Sequence, residues 1–232
     1  MFTQTAEFYD AMYSFKDYAK EGEFLKQTIE QYCPEAKTLQ DVACGTGMHL
    51  AEFSKWLGCE GLDLDPKLLE VARRRVSSVP LHLGDMRDFD LGKKFDVVTC
   101  LFSSIGYATT TAEMASAFRT FYRHLNPGGL VLVEPWLYSE NYKSPHLHLL
   151  TVDRDDLKIA RVSRGCRVGD VSIIDFEYLI VDFDRTKRLE EHHELGLYSQ
   201  ADYESAMSEA GFKVEYDPIG PMGRGMFIGI RV

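Results

Sequence analysis

Asp41-Val-Ala-Cys-Gly45-Thr-Gly47 is the first stretch of the chain whose residue types and spacing suit chemistry. Glycines at a strand-to-helix turn let the backbone pass close to a ligand, and the helix N–H groups stay free to donate. A plain tight turn would use the same residues, so the surroundings must decide. A dinucleotide fingerprint requires a third Gly or Ala three positions after the second glycine, and Leu50 stands there instead. No Gly-Lys-Ser/Thr follows to make a Walker loop. Asp63 stands 22 positions after Asp41, where a carboxylate can accept both hydroxyls of a ribose, whichever nucleoside is bound. Gly84-Asp85-Met86 brings another carboxylate, suited to accept from an adenine amino group, although a turn would also use it. Asp65 and Asp88 read more simply, as a helix N-cap and a solvated loop acid.

Such residues act together only if strand ends gather them. Residues 38–42 read as a short strand followed by a helix through Trp56, and 60–64 as a second strand. Pro66 then opens a helix from an N-cap at Asp65. Strands at 81–83 and 95–101 and a helix over about 111–124 continue the alternation, and Asn126-Pro-Gly-Gly129 turns into Leu130-Val-Leu-Val133. Strands apolar at nearly every residue, alternating with helices, indicate a parallel sheet covered on both faces.

Before this core, residues 3–32 read as two helices, from Phe8, Met12 and Phe15 and from Phe24, Leu25, Thr28, Ile29 and Tyr32, with Cys33-Pro34 as the stop. After it, residues 146–198 are β-rich over 157–168, 171–183 and 189–197, with Gly169-Asp170 as a tight hairpin turn. A helix over 200–210 and strands over 212–216 and 226–232 close the chain. The expected fold is α/β: a Rossmann-like, doubly wound, mostly parallel seven-stranded sheet with an antiparallel β insertion. One domain over 1–232 is expected, with a helical lid (1–34), a cofactor core (35–140), the insertion (141–199) and the closing elements (200–232).

Composition narrows the function classes. The 232 residues carry 36 acidic side chains against 26 Lys and Arg, a net charge of −10, and are 45% hydrophobic. These are globular values, with enough chain for one sizeable core. The acidic balance argues against nucleic acid as a partner, because such binding rests on counterion release by Lys and Arg. It leaves room for a local cationic pocket. Apolar runs are strand-sized, well under the roughly 20 residues that cross a bilayer. No signal or transit peptide is readable, so no membrane association and a cytoplasmic location are expected. The five cysteines include no CxxC pair, suggesting neither a disulfide framework nor a zinc site but buried thiols in a reducing compartment. His146-x-His148 and His192-His193 lack partners at metal spacing and are expected at the surface or at strand edges; no metal is expected.

Asp41-Val-Ala-Cys-Gly-Thr-Gly, Gly61-Leu-Asp-Leu64, Gly84-Asp-Met86, Phe95-Asp-Val-Val and Leu125-Asn-Pro-Gly-Gly follow in order at regular spacing. Together they resemble the class I S-adenosylmethionine-dependent methyltransferases across roughly residues 35–135. The resemblance implies that Ala43, Gly45 and Gly47 hold the methionine part of the cofactor, with Asp41 near its amino group. It places the ribose hydroxyls on Asp63 beside Leu64, and the adenine on Asp85 with Met86. Phe102 and Ser103 would line the site after the fourth strand. Tyr9 and Tyr18 would belong to the N-terminal lid over the cofactor, with plain helix packing as the alternative.

A closer resemblance runs through nearly the whole chain. Lys16-Asp-Tyr18, Gly84-Asp-Met-Arg-Asp-Phe89, Phe102-Ser-Ser-Ile-Gly-Tyr107, Glu134-Pro-Trp136, Arg161-Val-Ser163 and Gly223-Arg-Gly-Met-Phe227 are similar to the N,N-dimethyltransferases of nucleotide-linked 3-amino deoxysugars. That similarity implies a thymidine-diphosphate amino sugar as the substrate, methylated twice. Ser104 and Tyr107 would adjoin the sugar amine, and Glu134 would lie near it or serve as a buried structural acid. Tyr107 is a poor base at neutral pH, with a reference pKa of about 10, so its expected role is orientation. Trp136 would wall the acceptor pocket with Arg161, and Arg224 would face the diphosphate, which a guanidinium can bind bidentately. An ordinary turn arginine is the alternative for Arg224. A methyltransferase for another small amine or hydroxyl metabolite, and a non-catalytic cofactor-binding protein, share the cofactor residues and stand as alternative functions. Edge strands of the insertion could pair two copies into a homodimer.

Overall fold

The computed structural model describes residues 4–232; Thr3, where the first predicted helix begins, lies outside them. Residues 4–32 contain less helix than expected: a 3-10 turn over Ala6–Phe8, a four-residue α1 (Tyr9–Met12), then α2 (Tyr18–Tyr32). Phe8 and Met12 are buried as their spacing predicts, whereas Phe15 is exposed. Asp17 caps α2 by accepting from the Lys20 N–H. The core follows as β1 (Thr38–Val42), α3 (Met48–Phe53), β2 (Gly58–Asp63), α4 (Pro66–Arg75), β3 (Leu81–Leu83), β4 (Phe95–Cys100), α5 (Thr111–Arg123) and β5 (Leu125–Val133). Asp65 caps α4 through the Lys67 N–H, with Pro66 in the first turn. Several boundaries shift by one to three residues, and two differences have a visible cause. The α3 helix stops at Phe53, after which Trp56 donates to the Phe53 carbonyl in a tight turn. The Asn126-Pro-Gly-Gly129 segment lies within β5, because Leu125 pairs with Phe95 before the register shifts to Val97 opposite Leu130.

Four long antiparallel strands come next: β6 (His146–Asp153), β7 (Leu157–Val168), β8 (Val171–Asp182) and β9 (Thr186–Gly196). The sequence reading found only three of them. The missing one, β6, is an edge strand whose apolar residues change face midway, Leu147 and Leu149 on one side and Leu150 and Val152 on the other, so no single face carries a continuous period-two signal. The chain closes with α6 (Gln200–Glu209), β10 (Phe212–Asp217) and β11 (Met226–Arg231).

The main sheet has seven strands in the order β10-β11-β5-β4-β1-β2-β3, parallel except that β11 runs antiparallel to both neighbours. Strand order reverses between β1 and β4, the switch point where open α/β sheets hold ligands beyond the strand C-termini. Buried side chains on consecutive residues of β1, β4 and β5 match a sheet covered on both faces. The insertion sheet instead alternates. One face of it, with Val152, Ile159, Ile174, Phe176, Tyr178, Ile180 and Leu195, packs on Phe8 and Met12 and on the half-buried Tyr107 and Trp136. That packing lays the inner face of the four-stranded sheet over the switch point.

Candidate active site

The C-terminal ends of β1, β2 and β4 meet in a narrow space. Asp63 ends β2, almost fully buried; its Oδ2 accepts from the Gly45 N–H at 2.8 Å and its Oδ1 from the Asp65 N–H at 2.8 Å. Burial raises its carboxyl, and those N–H groups oppose the rise. Gly45 adopts φ 56°, and an added Cβ there would meet nothing within 4 Å, so the loop leaves an open cradle. Asp41 lies deeper, accepting from Thr99 Oγ1 at 2.7 Å, and burial pushes its carboxyl up to about 6. Asp85 follows β3 with Arg87 donating to both its oxygens, and this guanidinium holds its carboxyl below the usual carboxylate range.

Among the described residues, the non-glycine ones at positive φ are Ala43, Phe102 and Ser103, all at these strand ends. Such backbone costs on the order of 1 kcal/mol or more per residue and persists only where neighbours hold it. Here the holders are visible. The Phe102 N–H donates to Glu134 Oε2 at 2.7 Å, Ser103 Oγ donates to the Pro135 carbonyl at 2.9 Å, and Arg224 Nη1 donates to Ser103 Oγ at 2.8 Å.

A cavity of about 670 Å³ runs from these carboxylates to the inner face of the insertion sheet. Tyr9, Ala43, Gly45, Asp63, Leu64, Asp85, Met86, Phe102, Ser103, Ser104, Tyr107, Trp136, Arg161 and Arg224 all line it. A small side chamber is lined by Tyr18 and Asp41, together with Tyr9, Ala43, Gly45, Phe102 and Ser104. At the far end, Trp136 Nε1 donates to Ser172 Oγ at 3.0 Å. Arg161 is buried, donates to the Tyr13 hydroxyl at 3.0 Å and lies 4.8 Å from the Phe176 ring centre. The N-terminal segment closes over the glycine loop, where Asp10 accepts from Thr46 Oγ1 at 2.7 Å and pairs with Arg75.

Some expectations require correction. Gly47 is not among the residues lining the cavity; it caps α3 at φ 77°, and an added Cβ would stand 3.2 Å from that of Ala72, so a side chain there would press on α4. Of the two readings of Glu134, the buried structural acid fits and the place beside the amine does not: it lies behind the wall, fully buried, and clamps the Phe102 backbone. His193 does stand on an edge strand, β9, but not at the surface: it is 2% exposed, lines the cavity, and its Nδ1 lies 2.7 Å from the Tyr107 hydroxyl. His146 and His148 line the same cavity from β6. The alternation of Leu189, Glu191, His193 and Leu195 would have revealed the inward face of His193. Tyr13 and Phe15, also in the wall, were missed because the first helix is shorter than its spacing suggests.

Comparison with known proteins agrees with this arrangement. Residues 40–129 match the family described as a methyltransferase domain. The chain is 42% identical to a dTDP-3-amino-3,4,6-trideoxy-alpha-D-glucopyranose N,N-dimethyltransferase from Streptomyces venezuelae, over 97% of both proteins. It is 37% identical to a dTDP-4-amino-2,3,4,6-tetradeoxy-D-glucose N,N-dimethyltransferase from Saccharopolyspora spinosa, over 97% of the chain and 92% of that protein. Among solved structures, Streptomyces venezuelae DesVI superposes with a TM-score of 0.93 at 41% identity, over 98% of each chain. The S-adenosylmethionine-bound amino pentose methyltransferase CalS10 from Micromonospora echinaspora superposes with a TM-score of 0.88 at 36% identity, over 97% of the chain and 96% of that one.

The residues present fit S-adenosylmethionine. The cradle over Gly45 is open, Asp63 stands at its rim, and Asp41 in the side chamber is a buried carboxylate that a cofactor ammonium would relieve. Among the described residues, no cluster of His, Cys, Asp and Glu could hold a metal ion, and no helix is long and apolar enough to cross a membrane. The chain belongs to the S-adenosylmethionine-dependent methyltransferases, in the family of the dTDP-amino-deoxysugar N,N-dimethyltransferases.

Proposed function

We propose that this enzyme methylates the amine of a dTDP-linked amino deoxysugar, twice, and that its site residues divide between cofactor and acceptor as follows. Asp63 receives the ribose hydroxyls, Asp85 and Met86 border the adenine, and Asp41 meets the methionine ammonium from the side chamber. S-adenosylmethionine, when bound, supplies an electrophilic methyl on a sulfonium, which the acceptor nitrogen displaces in line. What the protein must do is align a neutral amine and exclude water. Ser104 and Tyr107 border the point where the cavity passes from cofactor to acceptor, and burial holds the Tyr107 hydroxyl well above its ordinary value, which suits it to orient rather than ionise.

Arg224 and Arg161 place two guanidiniums on the acceptor side of a molecule whose net charge is −10, and a diphosphate is the matching ligand. Trp136, Phe102 and Tyr13 supply flat apolar walls for a sugar ring and a base. The observation that carries the reading is the continuity of one cavity from the Asp63 carboxylate to Arg161 and Arg224, in a chain 42% identical to a dTDP-3-amino sugar dimethyltransferase. Free thiols at all five cysteines agree with a reducing cytoplasm. Exposed Leu147, Leu149 and Val162 on the outer face of the insertion sheet, beside its open edges, support a homodimer.

Turnover against dTDP-linked 3-amino and 4-amino sugars, free amino sugars and simple amines tests the function. We expect dimethylated product from a nucleotide-linked sugar. Methylation of simple amines without any nucleotide sugar product would replace that substrate class with another.

A further inference from the structure

A primary amine that gains a methyl becomes an ammonium, and the nitrogen cannot attack again until a proton leaves. Tyr107 borders the acceptor space but does not act as a base alone, since burial raises its hydroxyl. Its partner is His193 of β9, whose Nδ1 lies 2.7 Å from the Tyr107 oxygen. Behind the imidazole, Glu191 Oε2 lies 3.7 Å from His193 Nε2. That carboxylate is itself fixed, accepting from the Tyr178 hydroxyl at 3.0 Å and from the Thr5 hydroxyl at 3.1 Å. Alternation along β9 turns Glu191 and His193 inward together, so the pair is set by the sheet and not by a loop. Burial lowers the imidazole and Glu191 raises it, with burial the larger effect, so His193 rests neutral, with the Glu191 carboxylate placed to offset the charge of a proton it takes up. Arg161 of β7 also lowers it, and Tyr178 of β8 faces it across Glu191.

We propose that Tyr107, His193 and Glu191 form a proton relay that regenerates the neutral acceptor nitrogen, which rests on the reading of the acceptor as an amine. An ammonium N–H bond breaks as the proton joins the Tyr107 oxygen, and the tyrosine's own proton passes to His193 Nδ1. The tyrosine ends neutral, the imidazole takes up the positive charge that the ammonium loses, and Glu191 compensates it. No oxidant or second substrate is required; the imidazolium returns its proton to water between turnovers. His193 acts through Tyr107 in this scheme.

The test compares wild type with His193→Gln, which cannot titrate, on a dTDP-linked amino sugar from about pH 6.5 to 9. Imidazole ¹⁵N NMR of His193 is recorded in the resting wild-type protein and in Tyr107→Phe. Near pH 7 the His193→Gln rate should fall by about tenfold or more, with monomethylated product accumulating, and should recover towards wild type as solvent takes over deprotonation at high pH. The NMR should show Nε2 protonated and Nδ1 accepting, with the Nδ1 signal shifted in Tyr107→Phe. A loss equal at every pH, no loss, or a protonated Nδ1 in the resting protein would each overturn the relay. Should wild type methylate no amine at all, the amine reading falls and the relay with it, whatever the NMR shows.

Discussion

Asp41 sits almost fully buried at the end of β1, with its carboxyl raised to about 6 by burial, against the opposing pull of His49 and the Thr99 hydroxyl. Because that value lies above the unfolded one of about 3.9, the native protein holds more protons between about pH 4 and 6. Stability therefore falls as pH rises through that window, and the ionised carboxyl costs roughly 3 kcal/mol above it. The substitution Asp41→Asn keeps an oxygen for the Thr99 hydroxyl and removes the charge. Urea unfolding at several pH values should show the cofactor-free variant more stable above pH 6, with the slope between pH 4 and 6 flattened. Calorimetry should show weaker S-adenosylmethionine binding, since the ammonium loses its counter-charge. An unchanged unfolding profile would mean that Asp41 is not the buried ionised group.

At the scale of elements, α6 shows how local sequence and distant function separate. Ser199 and Asp202 form a capping box, each accepting from the other's N–H, and no residue of α6 lines the cavity. Ser199→Ala should lower stability by about 1 kcal/mol while S-adenosylmethionine affinity and turnover stay unchanged at temperatures well below unfolding. Denaturant titration alongside the cofactor calorimetry checks both halves. The Asp65-Pro66 start of α4 was legible in the sequence, because capping chemistry lies within a few residues, and α6 was legible from its helical spacing and the Gly211 stop. The β7–β8 hairpin was legible too, since Gly169 adopts φ 59° in a two-residue turn between alternating strands. Strand β6 was not, because its apolar residues shift from one face to the other between Leu149 and Leu150 and leave no continuous alternation.

For the whole molecule, the cavity is shared between the main sheet, the insertion sheet and the N-terminal segment. Any ligand that fills its cofactor end binds the folded chain alone and stabilises it by mass action. At about 100 times its Kd, S-adenosylmethionine should add about 2.7 kcal/mol. In a chain of 232 residues that raises Tm by roughly 5–10 °C. NAD should give no shift, because Leu50 replaces the small residue of a dinucleotide loop. Thermal denaturation with each compound measures the contrast, and stabilisation by NAD but not by S-adenosylmethionine would contradict the cofactor assignment.

By itself the sequence determined the alternation of strands and helices, the glycine loop, and a carboxylate at or near the end of each of the first three strands. Those features depend on neighbours a few positions away, through periodicity, caps and turns. Which groups meet across the chain was decided only by the tertiary structure. Glu134 turned to the Phe102 backbone and not to the acceptor, and His193 joined Tyr107 from 86 positions away. Such pairings arise when two sheets pack face to face, and no local pattern encodes which buried polar side chains that packing brings within hydrogen-bond reach.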